Sequence, residues 1–197
     1  KKFYFLKTKD VGQDYKKKIS LISNLLLKKK INNLLITAPE NIAWLLNIRG
    51  SDIKYSPVTN CHAIINNKKK IIIIVNKNKI SKNFKKNFGN AIIYLNPKNF
   101  SIYLDSLNKN ETFLIDYKSC SIYYKNKISS KFKYLQLIDP IFFLKAKKNK
   151  TEIKNMIKSH ISDGVALTKF IFWIKNTIGK KKITELDAQL KLEKFRK

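Results

Sequence analysis

The sequence predicts an α/β layered fold with a mixed sheet and flanking helices, followed by the first helices of a second, differently patterned region. Three observations carry this expectation. Short β-branched runs alternate with amphipathic helical stretches from residue 11 to residue 138. Two of those runs enclose an Asn-containing turn, which is a hairpin signal. After Asp139-Pro140 the strand pattern stops, and two long helical patterns follow.

Taken in order, Val11 to Lys29 places Ile19, Ile22, Leu25, Leu26 and Leu27 among lysines, fitting one face of an amphipathic helix. Leu34 to Thr37 is expected as a short buried strand. Pro39 and Glu40 then open a helix, with proline at the first helical position and an acid in the first turn. That helix is expected to stop near Gly50, the residue best able to adopt a left-handed backbone. Ala63 to Ile65 and Ile71 to Val75 form the hairpin around Asn66-Asn67-Lys68-Lys69, and the run of four isoleucines implies a strand covered on both faces.

Further strands are expected at Ala91 to Leu95, Thr112 to Tyr117 and Tyr134 to Ile138, with helices near Ser101 to Leu107 and Ser119 to Ile128. Strands alternating with helices imply a sheet that is parallel or mixed. Beyond residue 139, Asn149 to Glu152 reads as a capping box that opens a helix with Ile153, Met156, Ile157, His160 and Ile161 at helical spacing. A second helix opens at Thr184-Glu185. The expected division is residues 1–12 as a linker, 13–142 as the layered domain, and 143–197 as the start of another. Neither Lys1 nor the charged helical pattern ending at Lys197 reads as a natural terminus, so both ends are expected to be cuts.

The net charge of +29 raises the question of nucleic acid. Of 42 basic residues, only Arg49 and Arg196 are arginine, and the lysines are spread through every segment. That distribution, with abundant Asn, Ile, Phe and Tyr, reads as AT-rich codon usage and a solvated surface rather than a phosphate-binding patch. No apolar run approaches the roughly 18–20 residues that a membrane helix requires. A cytoplasmic protein without nucleic-acid or membrane partners is the expectation. Two cysteines, Cys61 and Cys120, are too few for a disulfide framework.

Catalytic chemistry needs convergent His, Cys, Asp or Glu, and the spacing here offers little. Cys61 and His62 are neighbours at the start of a strand, where successive side chains point to opposite faces. His160 and Asp163 could meet on one helical face, yet His160 falls on the apolar stripe, so a hydrogen-bonded interface histidine is expected. There is no phosphate loop, no nucleophile elbow and no HExxH helix. Arg49 has two readings: an ion pair with Asp52, or a site where the planar guanidinium fork is needed. Trp44 and Trp173 are read as core.

The string from Ala38 through Trp44-Leu45-Leu46-Asn47-Ile48-Arg49-Gly50-Ser51-Asp52 resembles a signature of the middle domain of three-domain Xaa-Pro aminopeptidases. Lys145 to Glu152, His160 to Leu167 and Trp173 resemble the opening helix of their catalytic domain, and Thr184 to Arg196 resembles the next. Two positions depart from the family pattern: Ser56 stands before Pro57-Val58 in place of Asn, and Thr59-Asn60-Cys61-His62 replaces an aromatic-rich strand start.

The resemblance implies a creatinase N-terminal-like domain, followed by the first helices of an α+β pita-bread domain. It implies removal of the N-terminal residue from peptides with proline second. Two divalent metal ions, usually manganese, would be held by two Asp, one His and two Glu located after Lys197, and would supply a bridging hydroxide and Lewis-acid activation. It also implies a homodimer formed through the catalytic domain. No catalytic or metal-binding residue is expected in this segment, and Arg49 is expected to face the substrate entrance or the catalytic domain. A non-catalytic homologue that binds protein partners remains the alternative.

Overall fold

A computed structural model describes residues 2–197; Lys1, the first residue of the expected linker, lies outside them. The chain divides into two compact units, Lys1–Lys148 and Asn149–Lys197. In the first, the elements run β1 (Tyr4–Phe5), α1 (Thr8–Val11), α2 (Tyr15–Lys28), β2 (Asn33–Ile36), α3 (Pro39–Leu46), β3 (Ile48–Arg49), β4 (His62–Asn66) and β5 (Ile71–Ile74). They continue with α4 (Lys82–Phe88), β6 (Ile92–Leu95), α5 (Phe100–Asp105), β7 (Thr112–Ile115), α6 (Ile122–Ser129), β8 (Lys133–Gln136) and α7 (Pro140–Ala146). The second unit holds α8 (Lys150–Thr177) and α9 (Glu185–Arg196).

The main sheet has the order β6-β5-β4-β2-β7-β8. β4 pairs antiparallel with both β2 and β5, whereas β2-β7, β7-β8 and β5-β6 are parallel, so the sheet is mixed. Both faces are covered. Leu34, Ile36, Ile65, Ile71, Ile73 and Leu114 pack with Ile19, Ile22 and Leu26 of α2, Leu45 and Leu46 of α3, Phe84 and Phe88 of α4, and Ile141 of α7. Leu35, Ile64, Ile72, Ile74, Phe113 and Ile115 meet Phe100 and Leu104 of α5, Ile128 of α6 and Phe132. The four isoleucines of β5 thus divide two and two between the layers, as a strand with period two must when helices cover both sides.

Several boundaries differ from the sequence expectation, each for a local reason. The helix expected from Val11 to Lys29 is broken at Gly12, whose φ of 75° ends α1, and α2 begins anew under an Asp14 cap that accepts from the Lys16 N–H at 2.7 Å. The helix opened by Pro39 stops at Asn47, not near Gly50. Asn47 has φ 55°, which asparagine tolerates better than most residues, and its amide is fixed by donating to the distant Gln13 carbonyl at 2.9 Å.

Of the expected linker, residues 1–12, the described residues contribute instead to the layered domain. Phe3 is buried and packs edge-to-face on Phe84, and β1 pairs with β3 in a separate two-stranded ribbon. The division into units also comes later than residue 142, because buried Ile141 holds α7 to the first core.

In the second unit both helices open with capping boxes, Asn149 with Glu152 and Thr184 with Asp187. Asp163 on α8 receives Arg196 of α9 at 2.7 Å from Nε and 3.3 Å from Nη2. Both side chains are about half exposed, so this fork contributes at most about 1 kcal/mol.

Truncating Ile72, fully buried between β5 and the α5–α6 layer, should cost about 2–5 kcal/mol. Ile93→Ala, on partly exposed edge strand β6, should cost less than about 1 kcal/mol. Urea unfolding followed by circular dichroism measures both, and similar losses would contradict this assignment of core and edge.

Candidate functional site

The residues singled out by the Arg49 motif converge on the C-terminal end of α3. A helix ends with carbonyls that lack internal donors and with the negative end of its dipole, so cations are favoured there. Two cations occupy this end. Lys18 of α2, only 1% exposed, donates from Nζ to the Trp44 carbonyl and to Asn47 Oδ1, both at 2.8 Å, and lies 4.1 Å from the centre of the Trp44 ring. Arg49 Nη1 donates to the Ala43 carbonyl at 3.1 Å and to the Ile48 carbonyl at 2.9 Å.

From this base the chain leaves as a loop, residues 50–61, that is closed at its neck. The Gly50 N–H donates to the Pro57 carbonyl at 3.2 Å. A Cβ on Gly50 would stand 3.0 Å from the Val58 carbonyl oxygen and 3.2 Å from Thr59 Cγ2, so close approach, rather than a left-handed backbone, demands glycine here. Asp52 is the loop's internal anchor: it pairs with Lys79 and accepts from the Asn60 N–H at 3.0 Å. Burial alone would raise the Asp52 pKa, but the hydrogen bonds from Lys79 and Asn60 and the Lys79 charge hold it below the ordinary carboxylate value.

The tip of the loop is turned outward. The Ser56 N–H donates to the Ile53 carbonyl at 3.2 Å, and Tyr55 sits at φ 63° with its side chain 69% exposed beneath Lys54 Nζ. A bulky residue in the left-handed region is strained by about 1 kcal/mol or more. The loop therefore has an anchored base, a tight neck and an exposed tip of Ile53, Lys54 and Tyr55.

The other candidates separate. Cys61 faces the α2–α3 layer, and burial pushes its thiol up to about 12, so no thiolate is available at neutral pH. His62 turns to the opposite face, its ring 4.7 Å from that of Tyr124 in an edge-to-face contact, and burial lowers its pKa so that the imidazole is neutral. His160 is exposed on α8 rather than packed in an interface, and its expected neighbour Asp163 is engaged by Arg196. Trp44 packs against the core, whereas Trp173 is half-buried with Lys191 Nζ 5.3 Å from its ring. Among the described residues no group of three or more His, Cys, Asp or Glu could hold a metal ion.

The sequence reading missed Lys18, which looked like one solvated lysine among many, and the left-handed Tyr55, which carries no compositional signal. It also missed the pairing of Asn41 with Asp139. Only the Asp139-Pro140 step, a capping residue followed by proline, marked the start of α7.

Residues 1–152 match the model of the creatinase/prolidase N-terminal domain. The Xaa-Pro aminopeptidase ApepP of Drosophila melanogaster is 32% identical over 199 residues, covering 99% of this chain and 32% of that protein. Xaa-Pro aminopeptidase 1 of Dictyostelium discoideum is 32% identical over 200 residues, covering 98% of this chain and 31% of that protein. Among solved structures, the X-prolyl aminopeptidase from Caenorhabditis elegans, described as a cytosolic enzyme with a di-nuclear active site, superposes with a TM-score of 0.87 at 22% identity, over 99% of this chain and 33% of that one. An Xaa-Pro dipeptidase from Bacillus anthracis superposes with a TM-score of 0.67 at 13% identity, over 93% of this chain and 49% of that one. The chain therefore spans about a third of the length of the curated relatives it matches.

Replacing Lys18 with Met should cost about 2–4 kcal/mol, because the Trp44 carbonyl and Asn47 Oδ1 then lose a buried charged donor. Gly50→Ala should cost about 1–3 kcal/mol, since the added methyl meets a backbone oxygen that cannot swing away. Thermal unfolding measures both; an unchanged midpoint for either would contradict the corresponding contact.

Proposed function

Because this chain belongs to the creatinase/prolidase N-terminal domain family, we propose that it is part of an Xaa-Pro aminopeptidase, an enzyme that removes the N-terminal residue from peptides with proline second. In this reading residues up to Lys148 form the non-catalytic middle domain, and Asn149–Lys197 begin the catalytic one. The observation that carries it is the reach of the likeness. Identity of 32% to two Xaa-Pro aminopeptidases extends over 98–99% of the chain, and so continues past residue 152, where the family match ends.

The two divalent metal ions of this reading, manganese by expectation, would be held by residues outside the segment. The protein would work in the cytoplasm as a homodimer formed through the catalytic domain, with proline-containing peptides as substrates and with neither nucleic acid nor membrane as partner. Among the described residues no helix is long and apolar enough to cross a membrane. Arg49 would act at the substrate entrance by holding the base of the 50–61 loop. Its contact with the Ala43 carbonyl of α3 supports that role, because it ties the residue before the loop to a rigid element.

The test is hydrolysis by the longer protein that contains this segment, supplied with manganese. Release of the first residue from Xaa-Pro peptides, and none from peptides lacking the proline, is the expected outcome. No release at all would favour a non-catalytic module of the same fold. In the active protein Arg49→Lys should lower kcat/KM by about tenfold, roughly 1.4 kcal/mol, since an ammonium on a flexible stem replaces the rigid guanidinium whose Nη1 reaches both the Ala43 and Ile48 carbonyls. Unchanged turnover together with an unchanged melting temperature would remove Arg49 from the site. Filter binding of DNA and RNA should be lost by about 0.15 M salt; retention there with a shallow salt slope would contradict the absence of a nucleic-acid partner.

A further inference from the structure

Where the sheet's parallel strands end, two helices meet over a buried carboxyl group. Asp139, 1% exposed, is the N-cap of α7: its Oδ1 accepts from the Ile141 N–H at 2.8 Å, and its Oδ2 accepts from Asn41 Nδ2 of α3 at 2.7 Å. Asn41 is equally buried, yet its Oδ1 has no hydrogen-bond partner. A buried amide oxygen without a donor is costly, and the group beside it can become a donor by taking up one proton.

We propose that in mildly acidic solution Asp139 is a neutral carboxylic acid in the folded chain and closes an acid–amide pair with Asn41, so that loss of this proton toward neutral pH loosens the tie between α3 and α7. In the pair, Asn41 Nδ2–H donates to one carboxyl oxygen, as observed. The carboxyl O–H donates to Asn41 Oδ1 and still accepts from the Ile141 N–H through its remaining lone pair. The proton comes from solvent on folding and returns to it on unfolding.

The surroundings favour the neutral form. Burial raises the Asp139 pKa most; the hydrogen bonds from Asn41 and Ile141 pull it down, the nearby negative charge of Asp116 raises it again, and Lys145 on the same helix lowers it, for a result of about 6. Asp116, at the turn after β7, accepts from Ser119 Oγ at 2.6 Å, and that hydroxyl lies 2.8 Å from Thr37 Oγ1. Burial lowers the pKa of Lys145, and the negative charges of Glu40 on α3 and of Asp139 oppose that lowering. The device does not depend on the aminopeptidase reading, since it concerns only how two helices of one unit are joined. It bears on the loop site because α3 also carries the Ala43 carbonyl that holds Arg49.

The sign of the pH dependence follows from linkage. A carboxyl whose folded pKa lies above its unfolded value of about 3.9 contributes stability that is present at low pH and lost as pH rises through the folded value. His62, whose pKa is lowered, acts in the opposite sense, and so the Asp139 effect must be read as a difference between variants.

The experiment is a carbon-detected NMR titration of the aspartate carboxyls in this chain, with Asp139 assigned by its loss in D139N. A midpoint near 6 for Asp139 is expected, and a midpoint at or below the ordinary carboxylate value overturns the proposal. Urea unfolding of wild type and D139N from pH 5 to pH 7.5 is the second measurement. The wild-type midpoint should fall relative to that of D139N as pH rises, and parallel curves overturn the proposal. Should D139N fail to fold, the wild-type resonance that titrates near 6 is identified instead by its shift in N41A; no aspartate titrating there overturns it.

Discussion

The C-terminal end of α3 is the constraint on which the rest of the first unit turns. Eight residues of helix end in a partly buried place, where the last carbonyls take protein donors. Lys18 and Arg49 supply donors from two different elements, one from α2 and one from the strand that follows. Because Lys18 is on α2, satisfying the helix end also fixes the spacing of α2 and α3 on the sheet. Because Arg49 is on β3, it fixes where the 50–61 loop departs.

The sheet explains why so short a helix can be placed so firmly. β2 lies at the centre, antiparallel to β4 and parallel to β7, with all four of its residues buried. α3 follows β2 after two residues, so its start is set by the strand and its end by the two cations. At its first turn Asn41 reaches the cap of α7, and at its last turn Ala43 and Trp44 receive Arg49 and Lys18. A single element thereby joins the two ends of the unit, and the proton on Asp139 sits at one of those joints.

Seen in this light, the family signature has a physical content. Pro39 starts the helix, Asn41 reaches α7, Trp44 lies under a lysine, Asn47 takes the left-handed turn, Arg49 closes over the helix end, and Gly50 lets the loop neck close. Asp52 then anchors the loop from within. Each residue answers a local geometric demand, which is why the string can be read as a unit rather than as scattered identities.

Local chemistry decided most of the architecture. Period-two β-branched runs, the Asn-containing hairpin, Pro39 at a helix start and the Asn149–Glu152 capping box depend on neighbours within a few residues, and so they were legible along the chain. Much of the second helical region was legible for the same reason. Long-range structure decided the rest. The β1–β3 ribbon is two residues long and exists because Tyr4 and Phe5 meet Arg49 and Ile48 from 45 and 43 positions away. Nothing in composition separates buried Lys18 from the solvated lysines, because its environment is made by the end of another helix. The Asn41–Asp139 pair spans ninety-eight positions and becomes a buried acid beside an unpartnered amide only when the sheet brings both strand ends together. The sequence by itself determined the layers and the family, whereas the tertiary structure alone decided which charges were taken out of water, since desolvation is a property of the assembled fold.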